Sequence, residues 1–410
     1  MSPTVRRTAL VRLMTVAATA ATVTMTTAVP SPADEIQPTL TSWGAGTAGQ
    51  LGTGSSAGSP TPVDINGLLR GDVKKVSAGG TSSENGFALA LANSGGTVRA
   101  WGHNASGQLG NSTHATQKAP VKVPGLPPVE DIAAGGEHAL AVDKNGQVYS
   151  WGDNSYGQLG NGRTGDNRSV PARVQGMPGV SQIAAGCDFS LALIDGKVYA
   201  WGRGVHGQLG NGGRESSAVP RQVTGLPKVS RIAAGCHHAL ALTTPEDGEN
   251  AGKSVVMAWG QNIYGQLGNS STASSVKPVT VDWIKDVSTI HAGAWHNYAV
   301  TSTGEVWGWG HNQYGQLLDE DETFDGETSR TNRTAPVQIP QLKGLTKLAA
   351  GAFHGVALKD DYVYTWGQNA DGQLGNGSTT DSHTLVKVLH SDSSTTDVSA
   401  SLGGNTTYVH

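Results

Sequence analysis

Charge is scarce in this 410-residue chain: only 15% of its residues are Asp, Glu, Lys or Arg, and no run of basic residues stands anywhere in it. Without such a run the chain gains no counterion-release affinity for phosphates, so nucleic acid is not an expected partner. Cysteine is nearly absent as well. Cys187 and Cys236 are the only two, which limits the chain to one internal disulfide. Acidic residues are missing from residues 1–33, which carry Arg6, Arg7 and Arg12 and then an uncharged Ala- and Thr-rich run from Leu13 to Val29. A membrane span takes about 20 strongly apolar residues, and this run is too short and too polar for one. It reads instead as a secretory signal peptide cleaved after Ala28 or Ala33, with Arg6-Arg7 a partial match to a twin-arginine route. Its removal leaves 25 basic against 32 acidic residues, a net charge of −7. The mature chain, residues 34–410, is therefore expected to be extracellular, with no membrane attachment.

What the chain has in excess is glycine, 57 residues, about twice average usage. Such a composition suits short strands and tight turns rather than long helices. The glycines recur in a phrase written seven times, as in Trp151-Gly152-Asp153-Asn154-Ser155-Tyr156-Gly157-Gln158-Leu159-Gly160. The Trp-Gly pairs begin at Trp43, Trp101, Trp151, Trp201, Trp259, Trp309 and Trp366, at intervals of 58, 50, 50, 58, 50 and 57 residues. The longer intervals coincide with insertions at Thr81 to Gly86, Pro245 to Val256 and Asp319 to Arg333.

Each phrase is preceded by a second one, best seen as Ile183-Ala184-Ala185-Gly186-Cys187-Asp188-Phe189-Ser190-Leu191-Ala192-Leu193. Three strands follow from it: Ile-Ala-Ala, Ser-Leu-Ala-Leu and, after an Asp-Gly hairpin turn, Val-Tyr-Ala-Trp. A fourth is expected from Pro120, Pro171, Pro220, Pro278 or Pro336, and Pro places it at an edge because it lacks a ladder donor. Four antiparallel strands repeated seven times make an all-β, seven-bladed β-propeller. The chain starts with a third and fourth strand (Leu40 to Gly44, Pro62 to Ile65) and ends with a first and second (Val398 to Ser401, Thr406 to His410). Joined, they complete a composite blade that closes the ring and removes its open sheet edges.

These phrases resemble the regulator of chromosome condensation repeat family over essentially everything after residue 39. The resemblance implies a seven-bladed β-propeller. It points to two kinds of relative, a nuclear guanine-nucleotide exchange factor docked on chromatin and secreted bacterial propellers that inhibit β-lactamase. Fold alone does not choose between them.

Most of the repeated residues have a scaffold role. The seven Trp residues, all at the end of a third strand, are expected to pack between blades. Asn104, Asn154, Asn262, Asn312 and Asn369 are expected to satisfy backbone groups within their loops. Two dinucleotide-like passages, Gly44 to Gly49 and Gly202 to Gly207, are the repeat with its Asn replaced by Gly, and no helix follows them. Gly54 to Gly58 matches a nucleophile elbow in letters only. His138, His238, His296 and His354 are spread around the axis and are expected to hydrogen-bond within their own blades rather than bind metal. The acidic insertion Asp319 to Glu327 lacks a spaced Ca²⁺-loop pattern and reads as a solvated excursion. Cys187 and Cys236 hold equivalent positions in neighbouring repeats, which a seven-fold ring places about 6 to 7 Å apart at a radius of about 7 to 8 Å. In an exported chain they are expected to bond across the seam, the alternative being two buried free thiols.

The slots that do not repeat are the candidate site. Strand order puts two loops of each blade on one rim, and there the residues Glu137, Asp188, His237, Trp295 and Phe353 vary, as do Tyr156, His206, Tyr264, Tyr314 and Asp371. Aromatic enrichment of this kind suits a protein-binding surface. The reading is a secreted, monomeric, non-catalytic interaction propeller without cofactor, gripping a protein or a glycan with that rim. The alternatives are a guanine-nucleotide exchange factor for a small GTPase and a secreted propeller hydrolase or lyase.

Overall fold

The computed structural model describes residues 39–244, 253–319, 321–322, 328–329, 331–391, 395 and 397–410. The signal-peptide expectation falls outside these residues, as do 320 and 323–327 of the acidic insertion. Among the described residues there are seven four-stranded antiparallel sheets and one two-stranded ribbon, Asp321–Glu322 paired with Thr328–Ser329.

Blade 1 runs Val73–Gly79, Phe87–Ala92, Val98–Gly102 and Gln117–Lys122, and blades 2 to 6 repeat it, starting at Val129, Val180, Val229, Val287 and Lys347. Blade 7 takes Val398–Ala400 and Thr406–Val409 from the C-terminal end and Thr39–Gly44 and Ser59–Leu69 from the N-terminal end. Trp43 pairs with Thr407 and Thr41 with Val409, so the ring closes as the strand count predicts. First strands line the axis; fourth strands are outermost. In blades 1 to 5 the outer strand begins three residues before its Pro, at Gln117 rather than Pro120 in blade 1, and there the Pro sits in a bulge where Gly102 faces Gln117 but Ala100 faces Val121. A bulge removes the need for the missing donor.

All seven repeat tryptophans are fully buried. Each indole Nε1 donates to the carbonyl of the Gln in the preceding blade's Gly-Gln-Leu, at 2.8–3.0 Å, from Trp43 to Gln373 around to Trp366 to Gln316. The tryptophan is thus both filler and clasp of every seam. The Gly after each Trp holds φ between +99° and +106°, and at Gly152 a Cβ would overlap the carbonyl oxygen of Glu137, so only glycine fits.

The buried histidines correct one expectation: they bond across seams, not within their blades. His138 Nε2 meets Ser190 Oγ at 2.9 Å, His238 meets Asn297 Oδ1 at 2.7 Å and His354 meets Thr407 Oγ1 at 3.0 Å, each partner in the next blade. Phe87 and Phe189 hold the same position in blades 1 and 3, and there the residue across the seam is Ala139 or Ala239. A polar ring faces a polar side chain, and an apolar ring faces a methyl group, as satisfaction of buried polar atoms requires. His296 is the exception. It faces Gly355, and neither ring nitrogen has a hydrogen-bond partner of ordinary geometry. The reason is local: Tyr298 replaces the usual Leu, its hydroxyl accepts from Trp366 Nε1 at 3.1 Å, and the Trp366 ring occupies the space that a side chain at 355 would need.

Candidate functional site

The two loops on the upper rim are built so that backbone is fixed and side chains vary. In the Trp-Gly-x-Asn-x-x-Gly-Gln-Leu loop, the Asn Oδ1 accepts from the Leu amide and its Nδ2 donates to loop carbonyls, as Asn262 does with Leu267, Ser271 and Ala273. The Gln Oε1 accepts from the amide two residues earlier, which is the variable slot itself: Tyr156, His206, Tyr264 and Tyr314 are held at 2.9–3.1 Å. The other variable slot is tied through its carbonyl. Glu137, Asp188, His237, Trp295 and Phe353 each accept from the amide two residues after the Trp, at 2.8–3.0 Å. A rigid frame therefore presents side chains that it does not choose.

The structure brings the slots of blades 3 to 6 into one crescent of edge-to-face and tilted rings. His206 lies 5.0 Å from His237, His237 5.3 Å from Trp295, and Trp295 5.7 Å from Tyr264. Tyr264 then meets His311 at 4.8 Å, and His311 meets Phe353 and Tyr314 at 5.1 and 5.8 Å. Apart from the buried His311, these rings are half-buried, and Val205 and Ile263 stand exposed beside them at 42% and 52%. At one end Arg203 bonds Asp188 at 2.9 Å and lies 4.7 Å above the Tyr156 ring. Glu137 is set apart, its carboxylate taken by Ser106 and Asn85, and Asp371 is likewise held by Asn405 at 2.7 Å.

Arg203 and His311 belong to a third variable position, two residues after the Trp, that sequence reasoning passed over. The signal was present as the unspecified residue of Trp-Gly-x-Asn, occupied by Asp153, Arg203, Gln261, His311 and Gln368.

Beneath the crescent Cys187 and Cys236 are disulfide-bonded with Cα atoms 4.5 Å apart. That is closer than the ring radius suggests, because Cys187 N also donates to Cys236 O at 3.1 Å. Together with Ala294, Ala352 and Leu402 the disulfide forms a buried cluster against which Trp295 and Phe353 pack.

Burial, helped by the neighbouring His206 and Arg203, lowers the His237 pKa to about 3, and burial also holds those of His206 and His311 down. Burial raises that of Asp188, against the pull of Arg203. The imidazoles of the crescent are thus neutral near pH 7 and contribute as aromatic rings. Chemically this is a surface for contact, with one ion pair at its edge. Among the described residues no group of three or more His, Cys, Asp and Glu is placed to hold a metal ion. Another convergence of acids and bases lies at the opposite axial mouth, in a cavity of about 650 Å³ lined by Lys75, Asp131, His291, Lys347, Asp397 and His410. Its charges are paired, Lys75 with Asp131 at 2.6 Å and Lys347 with Asp397 at 3.7 Å.

A closed ring whose repeated residues are consumed by seams and turns, and whose variable ones gather on one rim, is a seven-bladed propeller with one variable rim. The chain belongs to the RCC1-like family: residues 3–251 match the RCC1-like domain, and residues 284–316, 303–358, 345–373 and 360–409 match the regulator of chromosome condensation (RCC1) repeat. The ultraviolet-B receptor UVR8 of Arabidopsis thaliana is 33% identical over 131 residues, which are 31% of this chain and 28% of the receptor. The human E3 ubiquitin-protein ligase HERC2 is 32% identical over 127 residues, 30% of this chain and 2% of the ligase. The matched stretch is thus a small part of either relative. Among solved structures, Prp20p of Saccharomyces cerevisiae, described with its binding to Gsp1p and histones, aligns with a TM-score of 0.77 at 25% identity, covering 91% of each chain. Human WBSCR16, at 22% identity and a TM-score of 0.74 over 90% of this chain and 99% of its own, shares the fold.

Proposed function

We propose that this chain is an exported, non-catalytic interaction propeller that grips a folded protein with the aromatic crescent of blades 3 to 6. The observation that carries the reading is the continuity of that crescent across variable slots on a fixed backbone. Clustered aromatics beside a charged pair at the edge are the arrangement of a binding hot spot with a polar rim. Yeast Prp20p, a propeller of the same fold, is described as binding Gsp1p and histones, which supports protein recognition by such a ring. Export is supported by the basic and then uncharged residues 1–33 and by a disulfide, which persists in oxidising compartments. A secreted enzyme is the class of partner that the resemblance to β-lactamase inhibitors suggests, bound by one monomeric propeller.

The test is capture from culture and host extracts by immobilised residues 34–410, compared with a Trp295→Ala, Tyr264→Ala variant. The variant is expected to lose the captured protein while its Tm stays within about 2 °C. Unchanged capture, or a large loss of stability, would refute the assignment of the crescent as the site. The second reading, an exchange factor for a small GTPase, draws on the likeness to Prp20p. Uncleaved chain recovered from the cytosol would favour it, and cleaved chain in the medium would end it.

A further inference from the structure

Among the described residues, Trp283 is the repeat-loop aromatic that the scaffold neither buries nor accommodates comfortably. It lies in the connection from the outer strand of blade 4, Ser275–Thr280, to the inner strand of blade 5, Val287–Ala292. Antiparallel order puts that connection on the rim opposite the crescent. Its side chain is 74% exposed, the highest value among the large hydrophobic residues described.

The sister loops say what the fold asks for at this place. Ile65-Asn66-Gly67-Leu68, Val123-Pro124-Gly125-Leu126, Val174-Gln175-Gly176-Met177 and Val223-Thr224-Gly225-Leu226 all align with Val281-Asp282-Trp283-Ile284. The four glycines have φ between +73° and +79°, and a Cβ added at any of them would meet nothing within 4 Å. In this form the loop takes a left-handed residue and offers a side chain no surface to pack on; the fifth sister, Ile339-Pro340-Gln341-Leu342, turns the same corner through a 3-10 turn without positive φ at Gln341. Trp283 adopts φ +60° all the same, inside a tight turn closed by Ile284 N donating to Asp282 O at 2.8 Å. A bulky residue in that region is a genuine backbone outlier, and such outliers gather where function holds them.

The surroundings choose among the ligands an exposed indole could serve. Ile284 is buried, whereas Lys285 and Asp286 are exposed. Lys253 is exposed too and runs alongside, because Asp286 N donates to Ser254 O at 3.0 Å. Asp282 accepts from Ser270 at 2.6 Å in the same turn. A protein hot spot needs a contiguous apolar patch around its anchor, which Lys285, Asp286 and Lys253 interrupt. An anionic membrane needs uncompensated basic charge, and here two lysines stand with two aspartates. One flat, exposed apolar face on a turn whose neighbouring residues carry hydrogen-bonding groups of both signs matches a neutral sugar ring, which has an apolar face and hydroxyl edges.

We propose that Trp283 is the stacking platform of a carbohydrate-binding site for neutral polysaccharide on the rim opposite the protein-binding crescent. The experiment uses the mature chain with cellulose, chitin and starch in sedimentation assays and with the matching soluble hexasaccharides in calorimetry. Phosphatidylserine-containing vesicles serve as the competing arm. One of the polysaccharides is expected to retain the protein. Trp283→Gly should weaken that affinity by about tenfold or more and Trp283→Phe by only a few-fold, since a phenyl ring still stacks. Because glycine suits the loop, the Tm of Trp283→Gly should be unchanged or raised by about 1–2 °C. Trp295→Ala should leave sugar retention intact, which keeps this site separable from the crescent. Failure to bind any of the three polysaccharides, binding indifferent to Trp283→Gly, Trp283-dependent capture by vesicles instead, or a fall in the Tm of Trp283→Gly beyond about 2 °C would each overturn the assignment.

Discussion

Replacing His296 with Phe should stabilise the protein, although the residue is fully buried and sits in the same register as three histidines that are hydrogen-bonded. Those three have Ser190, Asn297 or Thr407 across the seam; His296 has Gly355, and neither of its ring nitrogens has a hydrogen-bond partner of ordinary geometry. An unsatisfied buried polar group costs about 1–3 kcal/mol, and Phe87 and Phe189 show that the position accepts a phenyl ring. The expected gain for His296→Phe at about pH 7.5 is therefore about 1–2 kcal/mol, or a Tm raised by a few degrees at most in a chain of this size. Acid should enlarge it. Burial holds the folded-state pKa of His296 well below 6.5, so the unfolded chain binds the proton first and the wild type loses stability as pH falls below about 6.5. For one histidine kept neutral, that loss amounts to about 2 kcal/mol on going from about pH 7.5 to about pH 5, and the Phe variant escapes it. His138→Phe is the control: burial takes its folded pKa down to about 4, so the acid term is shared, but the bond to Ser190 is lost. It should lie about 1 kcal/mol below His296→Phe at neutral pH. Denaturant unfolding of the three proteins at both pH values measures all of this. A His296→Phe protein less stable than wild type at pH 7.5, or a gap between variant and wild type that does not widen on acidification, would refute the reasoning.

Three other outcomes follow from features already described. Removing the disulfide as Cys187→Ala, Cys236→Ala frees a 49-residue separation in the unfolded chain and should cost about 2–4 kcal/mol, read as a lower denaturation midpoint that added reductant no longer shifts. Gly152→Ala, whose Cβ would strike the Glu137 carbonyl, should cost more than about 3 kcal/mol, while Gly176→Ala, with open space around it, should cost only about 1 kcal/mol despite a similar positive φ. The loss of partner capture in the Trp295→Ala, Tyr264→Ala variant, with Tm nearly kept, completes the set and tests the crescent rather than the scaffold.

The scaffold was readable because each blade meets the same neighbours, so the same residues must return. Trp, the loop Asn and the Gly after Trp each do one job seven times or nearly so, and repetition exposes the job. What crosses a seam was harder to read. His138 finds its partner about one repeat later, at Ser190, and only a comparison of each ring residue with the following repeat shows that Phe goes with Ala and His with Ser, Asn or Thr. Where the rule breaks, at His296, the cause lies in Tyr298 and Gly355, two further departures that look unrelated in the linear chain. The rim was legible as a set of positions and not as a surface. Variation at Trp295 or Tyr264 marked slots free of scaffold duty, but nothing in the order of letters says that His311 links Tyr264 to Phe353, or that Glu137 is held by Ser106 and Asn85. Those depend on how far neighbouring loops lean together.

Six blades are continuous stretches of chain and can form as soon as their own residues are available. The seventh cannot. Its strands pair Thr41 with Val409, Trp43 reaches Gln373, and Tyr408 donates to the carbonyl of Gln50 across 358 positions. Until Thr406–Val409 arrives, strand Thr39–Gly44 keeps one unpaired ladder edge that can join another chain. Long-range closure of this kind is slow, because loop entropy must be met before the contacts reward it. Strand Thr406–Val409 therefore acts as a latch on the ring: the hazardous interval ends only when it pairs with Thr39–Gly44.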